Sequence, residues 1–165
     1  GVLGSPRLVG QDIDFTDWGT LSPPDVLPPA EVERLDLQPP LGPVFLSRMD
    51  MRPVRGVPMS GEEADCLGWV DFAERVDRTA ESLLALVDAW WPASFPRMLR
   101  PHPVATVNFT AHLLVDPLTV PGGTPLLSHS FVSSADEGFT SETRRLWTAD
   151  GRLAVDNLQS IVYIA

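Results

Sequence analysis

The chain contains no lysine; all twelve of its basic residues are arginine. It has a single cysteine, Cys66, so a disulfide framework is excluded and a reducing compartment is permitted. No run of eighteen apolar residues occurs, and the N-terminus lacks the basic start and long apolar stretch of a secretion signal. The expectation is a cytoplasmic protein. The chain begins at Gly1, which reads as a processed or excised start. Positive charge is scarce too. The net charge of −10 argues against a nucleic-acid backbone or an anionic membrane as partner.

Familiar catalytic signatures are also missing. There is no glycine-rich phosphate loop and no G-x-S-x-G elbow. His102, His112 and His129 lack the spacing with Glu that zinc hydrolases use, so no metal and no cofactor are expected. What remains is an ordinary globular composition, 44% hydrophobic over 165 residues, enough for one domain with a core.

Residues 1–44 hold eight of the seventeen prolines and seven acids against two arginines. Such a stretch cannot form a regular helix or a central strand. It is expected to be an extended acidic linker or a surface-hugging lead-in, docked in part through Ile13, Phe15, Trp18 and Leu21. The folded domain is placed at 45–165.

Strand-like runs are read at 44–54 and 67–75. Apolar residues at 80, 83, 84, 87 and 91 follow the helical repeat, which predicts one helix over 77–91. Asp77 or Thr79 would cap it and Pro92 would stop it. Four further strands are read at 104–115, 125–135, 139–149 and 152–164. Their connections carry Pro121-Gly122-Gly123, Asp136-Glu137-Gly138 and the two-residue hairpin signal Asp150-Gly151. Short turns between them predict an antiparallel meander, and hence an α+β fold with the helix against one face of the sheet.

Three polar residues stand out. Gln159 lies in an apolar strand, eight residues beyond Gly151, and an unpaired buried amide costs a few kcal/mol. Asp88 comes late in the helix, where the macrodipole disfavours an acid and the adjacent Trp90-Trp91 pair would raise its basicity. Strict alternation in the strand at 104–115 puts Ala105, Val107, Phe109, Ala111 and Leu113 on a core face. It puts Val104, Thr106, Asn108, Thr110 and His112 on the other.

Together these residues make residues 43–165 similar to the C-terminal half of the acyl-CoA thioesterase II-like family, which are double-hotdog proteins. Asp88 matches the family's Asp late in the central helix. Thr106, in Ala105-Thr106-Val107-Asn108-Phe109, matches the Thr opening its Thr-x-Asp strand, with Asn108 in place of the Asp. Gln159 matches its Gln after the hairpin. The resemblance implies a hotdog fold, an antiparallel sheet wrapped around one long central helix. It also implies hydrolysis of acyl-CoA to free acid and CoA, with Asp88, Thr106 and Gln159 as the catalytic set. Asp88 would take a proton from a water held by Thr106 and Gln159, without a covalent intermediate. Asn108, Arg97 and Arg100 are the candidate substrate-binding residues. The expected partner is a second hotdog, supplied by another copy or by an N-terminal half. The alternatives are a non-catalytic acyl-binding or partner half, or another hotdog chemistry such as enoyl-CoA hydration.

Overall fold

The computed structural model describes residues 21–36, 39 and 42–164. Ile13, Phe15 and Trp18, expected to dock, lie outside the described residues.

One helix and six strands make up the domain. They are β1 (Met49–Arg55), β2 (Asp65–Phe72), α1 (Ala80–Asp88), β3 (Val104–Leu113), β4 (Leu126–Asp136), β5 (Phe139–Trp147) and β6 (Leu153–Tyr163). All the strands pair antiparallel in one sheet of order β1-β2-β4-β5-β6-β3. Its inner face curls over α1, as the hotdog expectation requires.

The helix begins where the sequence indicates. Thr79 is its N-cap, and its hydroxyl accepts from the Ser82 backbone N–H at 3.2 Å. The Ser82 hydroxyl in turn accepts from the Thr79 N–H at 2.8 Å, completing a capping box. The helix ends at Asp88, three residues short of Trp91. Trp90 and Trp91 are both buried and meet edge to face at 4.8 Å between ring centres. Trp91 donates its indole N–H to the Gly56 carbonyl at 2.8 Å, a partner that the chain reaches by leaving the helix. Gly68 on β2 makes room for Trp90, since a Cβ there would lie 2.8 Å from its ring and 2.8 Å from the Pro53 Cα. A buried ion pair, Arg78 to Asp71 at 2.8 Å, anchors the approach to the helix. Arg78 also donates to the Thr124 carbonyl at 2.9 Å.

The simple meander is corrected at β3. Of the four strands after the helix, only β4, β5 and β6 follow one another in space; β3 pairs with β6 at the far edge. Residues 114–125 cross back to β4 and press Gly122 against the Val76 carbonyl. A connection of that length is not a hairpin turn, whatever its glycines suggest. The turn at Glu137-Gly138 is the true two-residue hairpin, with φ of 45° and 82°. At Asp150-Gly151 the loop is instead three residues, Ala149 to Gly151. There Thr148 N–H donates to the Arg152 carbonyl and Gly151 alone takes positive φ, at 83°.

The outer face has a small cluster of its own, Leu67, Leu127 and Trp147. Residues 21–32 lie across it. The Leu21 carbonyl accepts from the Trp147 indole at 3.1 Å and the Leu27 carbonyl from the Trp69 indole at 2.9 Å. Arg52 reaches the carbonyls of Pro29 and Val32 at 3.0 and 3.2 Å. These bonds satisfy carbonyls that a proline-rich segment cannot pair in a ladder. Among the described residues no helix is long and apolar enough to cross a membrane.

Candidate active site

The candidate site forms where the end of α1 meets the β3 edge of the sheet. Asp88 and Thr106 line one open cleft of about 680 Å3, with Phe45, Met49, Leu84 and Phe109 among its walls. The strict alternation expected for β3 placed Thr106 and Phe109 on opposite faces. A bulge corrects it. Thr106 pairs with Ile161 and Asn108 with Ser160, which leaves Val107 as the extra residue. Thr106 therefore turns inward beside Phe109, Ala111 and Leu113. Asn108 turns outward, where it accepts from the Thr110 hydroxyl at 3.3 Å. The structure thus separates Asn108 from the cleft that holds Thr106.

Gln159 is fully buried on the inner face of β6, paired across the sheet with Phe109 on one side and Glu142 on the other. It is not among the residues that line the cleft. Its link to Asp88 runs through Arg144. The Arg144 guanidinium is 3% exposed and stands 3.5 Å from Asp88 Oδ1 and 3.2 Å from Glu142 Oε2. With its amide oxygen turned toward Arg144, the orientation that satisfies both groups, Gln159 accepts from Nη2 at 2.9 Å. An unpaired amide at this depth would be costly, and a buried arginine supplies the partner.

Burial pushes the Asp88 carboxyl above its ordinary value of 3.8, and the Arg144 charge opposes that rise. A half-exposed carboxylate with raised basicity, facing a cleft beside a hydroxyl, has the properties of a general base. Cys66 has the opposite character. It is buried, donates to the Gly56 carbonyl at 3.2 Å, and burial pushes its thiol up to about 12.

Arg97 and Arg100 lie elsewhere. Arg97 pairs with Glu63 at 3.1 Å on the surface. Arg100 borders a separate apolar pocket of about 280 Å3 formed with Leu46, Trp91 and Phe95. Among the described residues no group of three or more His, Cys, Asp or Glu side chains converges as metal ligands do.

Glu142 and Arg144 escaped the sequence reading. A signal existed: counting in twos from Leu146 along β5 reaches Arg144, Glu142 and Thr140, so these polar residues share the core-facing side. In a strand with polar residues at both parities, that pattern is easily taken for a solvated face.

The family profile of the acyl-CoA thioesterase C-terminal domain matches residues 23–163. The chain belongs to this family. A hot-dog-fold protein of unknown function from Alicyclobacillus acidocaldarius is 27% identical, with a TM-score of 0.80 over 89% of this chain and 56% of its own. The tesB protein of Mycobacterium avium subspecies paratuberculosis is 14% identical, with a TM-score of 0.68 over 89% of this chain and 56% of its own. An acyl-CoA thioesterase II from Mycobacterium marinum is also 14% identical, with a TM-score of 0.60 over 88% and 57%. At these identities the two mycobacterial proteins show the shared fold alone. No curated protein matches the chain. This thioesterase-family domain spans a little over half the length of the solved structures it matches.

Proposed function

We propose that this domain hydrolyses acyl-CoA thioesters to the free acid and CoA. One observation carries the reading. Asp88 and Thr106 are far apart in the chain, yet they line the same cleft, and burial raises the basicity of Asp88. Membership in the acyl-CoA thioesterase family supports the substrate class.

In this reaction Asp88 takes a proton from a water oriented by the Thr106 hydroxyl. The water oxygen bonds to the thioester carbonyl carbon, and the carbonyl electron pair moves onto oxygen. Collapse of that intermediate breaks the carbon–sulfur bond, and the proton on Asp88 passes to the departing CoA thiolate. Atoms and charge balance without a covalent enzyme intermediate. The Gln159 oxygen is taken up by Arg144 and its side chain is fully buried, so Gln159 serves this water through Arg144 and Asp88 and not by direct contact. Holding a water in line is chiefly a positional contribution.

The working unit is residues 45–165, with 1–44 as a lead-in whose residues 21–32 brace the outer face. It acts with a second hotdog. β3 is an edge strand exposed from Ala105 to Thr110, and the same strand forms one wall of the open cleft. A partner pairing there would cover the unpaired edge and close the site.

A second reading, a non-catalytic acyl-binding or partner half, draws on the full burial of Gln159. Release of free thiol from a series of acyl-CoAs by the purified chain separates the two. Hydrolysis that drops at least about a hundredfold in Asp88→Asn, the usual scale for a general base, supports catalysis. Near-wild-type turnover in that variant removes Asp88 from the reaction. Acyl-CoA binding without any thiol release favours the binding half.

A further inference from the structure

We infer that Arg144 is a positioning residue for the Asp88 cleft, which it serves by holding the Gln159 amide and the Asp88 carboxylate in one fixed fork. The inference rests on the hydrolytic reading for its kinetic consequence, but its geometry is independent of it.

Arg144 joins groups from two other elements and from its own strand. Nη1 donates to the Trp90 carbonyl at 3.1 Å, just past the end of α1, and stands 3.5 Å from Asp88 Oδ1 at that end. Nη2 donates to Glu142 Oε2 at 3.2 Å on its own strand. Gln159 on β6 accepts from Nη2 at 2.9 Å and from Nη1 at 3.2 Å, and also contacts Nε. A buried cation needs one counter-charge and satisfied donors. Glu142 and the Trp90 carbonyl go far to meet that need. The further reach to Asp88 and Gln159 ties together two residues of the proposed catalytic set that β6 and α1 supply separately.

Two consequences follow from the shape of the group. A guanidinium presents five donors in a rigid plane and has no acceptor, so it selects the amide oxygen and turns the Gln159 nitrogen away. The amide could otherwise sit either way round. A guanidinium is also a fixed positive charge within ion-pair range of the carboxylate, so it limits how far burial raises the Asp88 basicity. Among the described residues the other walls of the cleft carry no titratable side chain: Phe45 and Met49 on the β1 side, Thr106 and Phe109 on β3, Leu84 and Ala85 on α1. Arg144, with Glu142 behind it, is the charged group that faces Asp88 from the sheet.

The test uses the whole chain and two variants. Arg144→Lys keeps the charge but loses the planar fork. The paired substitution Glu142→Gln with Arg144→Met removes both buried charges together, so that neither is left alone in the core. Thiol release gives kcat and KM. Carbon-13 NMR of the aspartate side-chain carboxyls, with Asp88 assigned by its absence in Asp88→Asn, gives its titration midpoint. The expected result for Arg144→Lys is a kcat reduced about tenfold or more with KM within about twofold, the signature of lost alignment rather than lost binding. In the paired variant the Asp88 midpoint is expected to move to higher pH. Wild-type kcat in a folded Arg144→Lys chain, or an unmoved Asp88 midpoint in a folded paired variant, overturns the inference. If the paired variant does not fold, the lysine variant decides alone. Absence of thiol release from the wild-type chain overturns the hydrolytic reading and the kinetic role with it. The link from Arg144 to Asp88 is then judged by the NMR midpoint alone.

Discussion

Asp88 Oδ1 stands 3.5 Å from Arg144 Nη1, with the carboxylate side chain 55% exposed and the guanidinium 3% exposed. The pair spans the boundary between cleft and core. Its exposed member lines the open cleft, and its buried member reaches back to Glu142 and Gln159.

The sign of the pH dependence follows from that position. Burial favours the protonated form of Asp88 and Arg144 only partly opposes it. A general base works when deprotonated, so kcat/KM for acyl-CoA is expected to fall as pH drops through a midpoint above the ordinary carboxylate value. Stability runs the other way. The folded state holds this proton more readily than the unfolded state, so the contribution of Asp88 to stability falls as pH rises from the ordinary value through the raised one. Asp88→Asn removes the penalty. Its melting temperature at neutral pH is expected not to fall while its activity does, and calorimetry beside the thiol assay checks both. A melting temperature well below wild type would make Asp88 a structural residue.

Gln159→Ala is expected to lose both rate and stability. The side chain is fully buried, and its oxygen occupies donors of a buried arginine. Leaving those donors unmet costs about 1–3 kcal/mol. Urea titration measures the loss. An unchanged unfolding midpoint would mean that the Arg144 contact contributes nothing.

Cys66 is expected to be inert in the native state. Its thiol is held protonated by burial, at about 12, and its strand neighbours leave it 1% exposed. A colourimetric thiol reagent at neutral pH should react only when denaturant is added. Stoichiometric reaction with the folded chain would show that β2 opens readily.

Light scattering in solution is expected to give at least twice the 18.0 kDa chain mass, because β3 is an edge with an exposed run beside an open cleft. A stable 18.0 kDa species with full thioesterase activity would show that the cleft needs no second hotdog.

Much of the fold is legible in the sequence because its signals are local. The helical repeat from Ala80, the Thr79 cap and the glycine-marked turns each act within a few residues, and each element appears within a few residues of its expected place. The helix end is misread at Trp91 because the indole of Trp91 bonds a distant carbonyl, that of Gly56, away from the helical path. For the candidate site, Asp88 and Thr106 are legible as residues but not as neighbours. A single bulge at Val107 decides which way Thr106 faces, and nothing in the local alternation announces it.

Short-range signals in the chain suffice for the class of the domain, the strand count after the helix and the three polar residues that stand out, since periodicity, caps and turn chemistry act within a few residues. The tertiary structure decided that β3 joins β6 at the sheet edge, that Asn108 leaves the cleft while Thr106 enters it, and that Gln159 meets Asp88 through Arg144. Each of these is a pairing between segments far apart in the chain. Such pairings are fixed by the competition of whole surfaces for burial, and by the need of every buried charge for a partner.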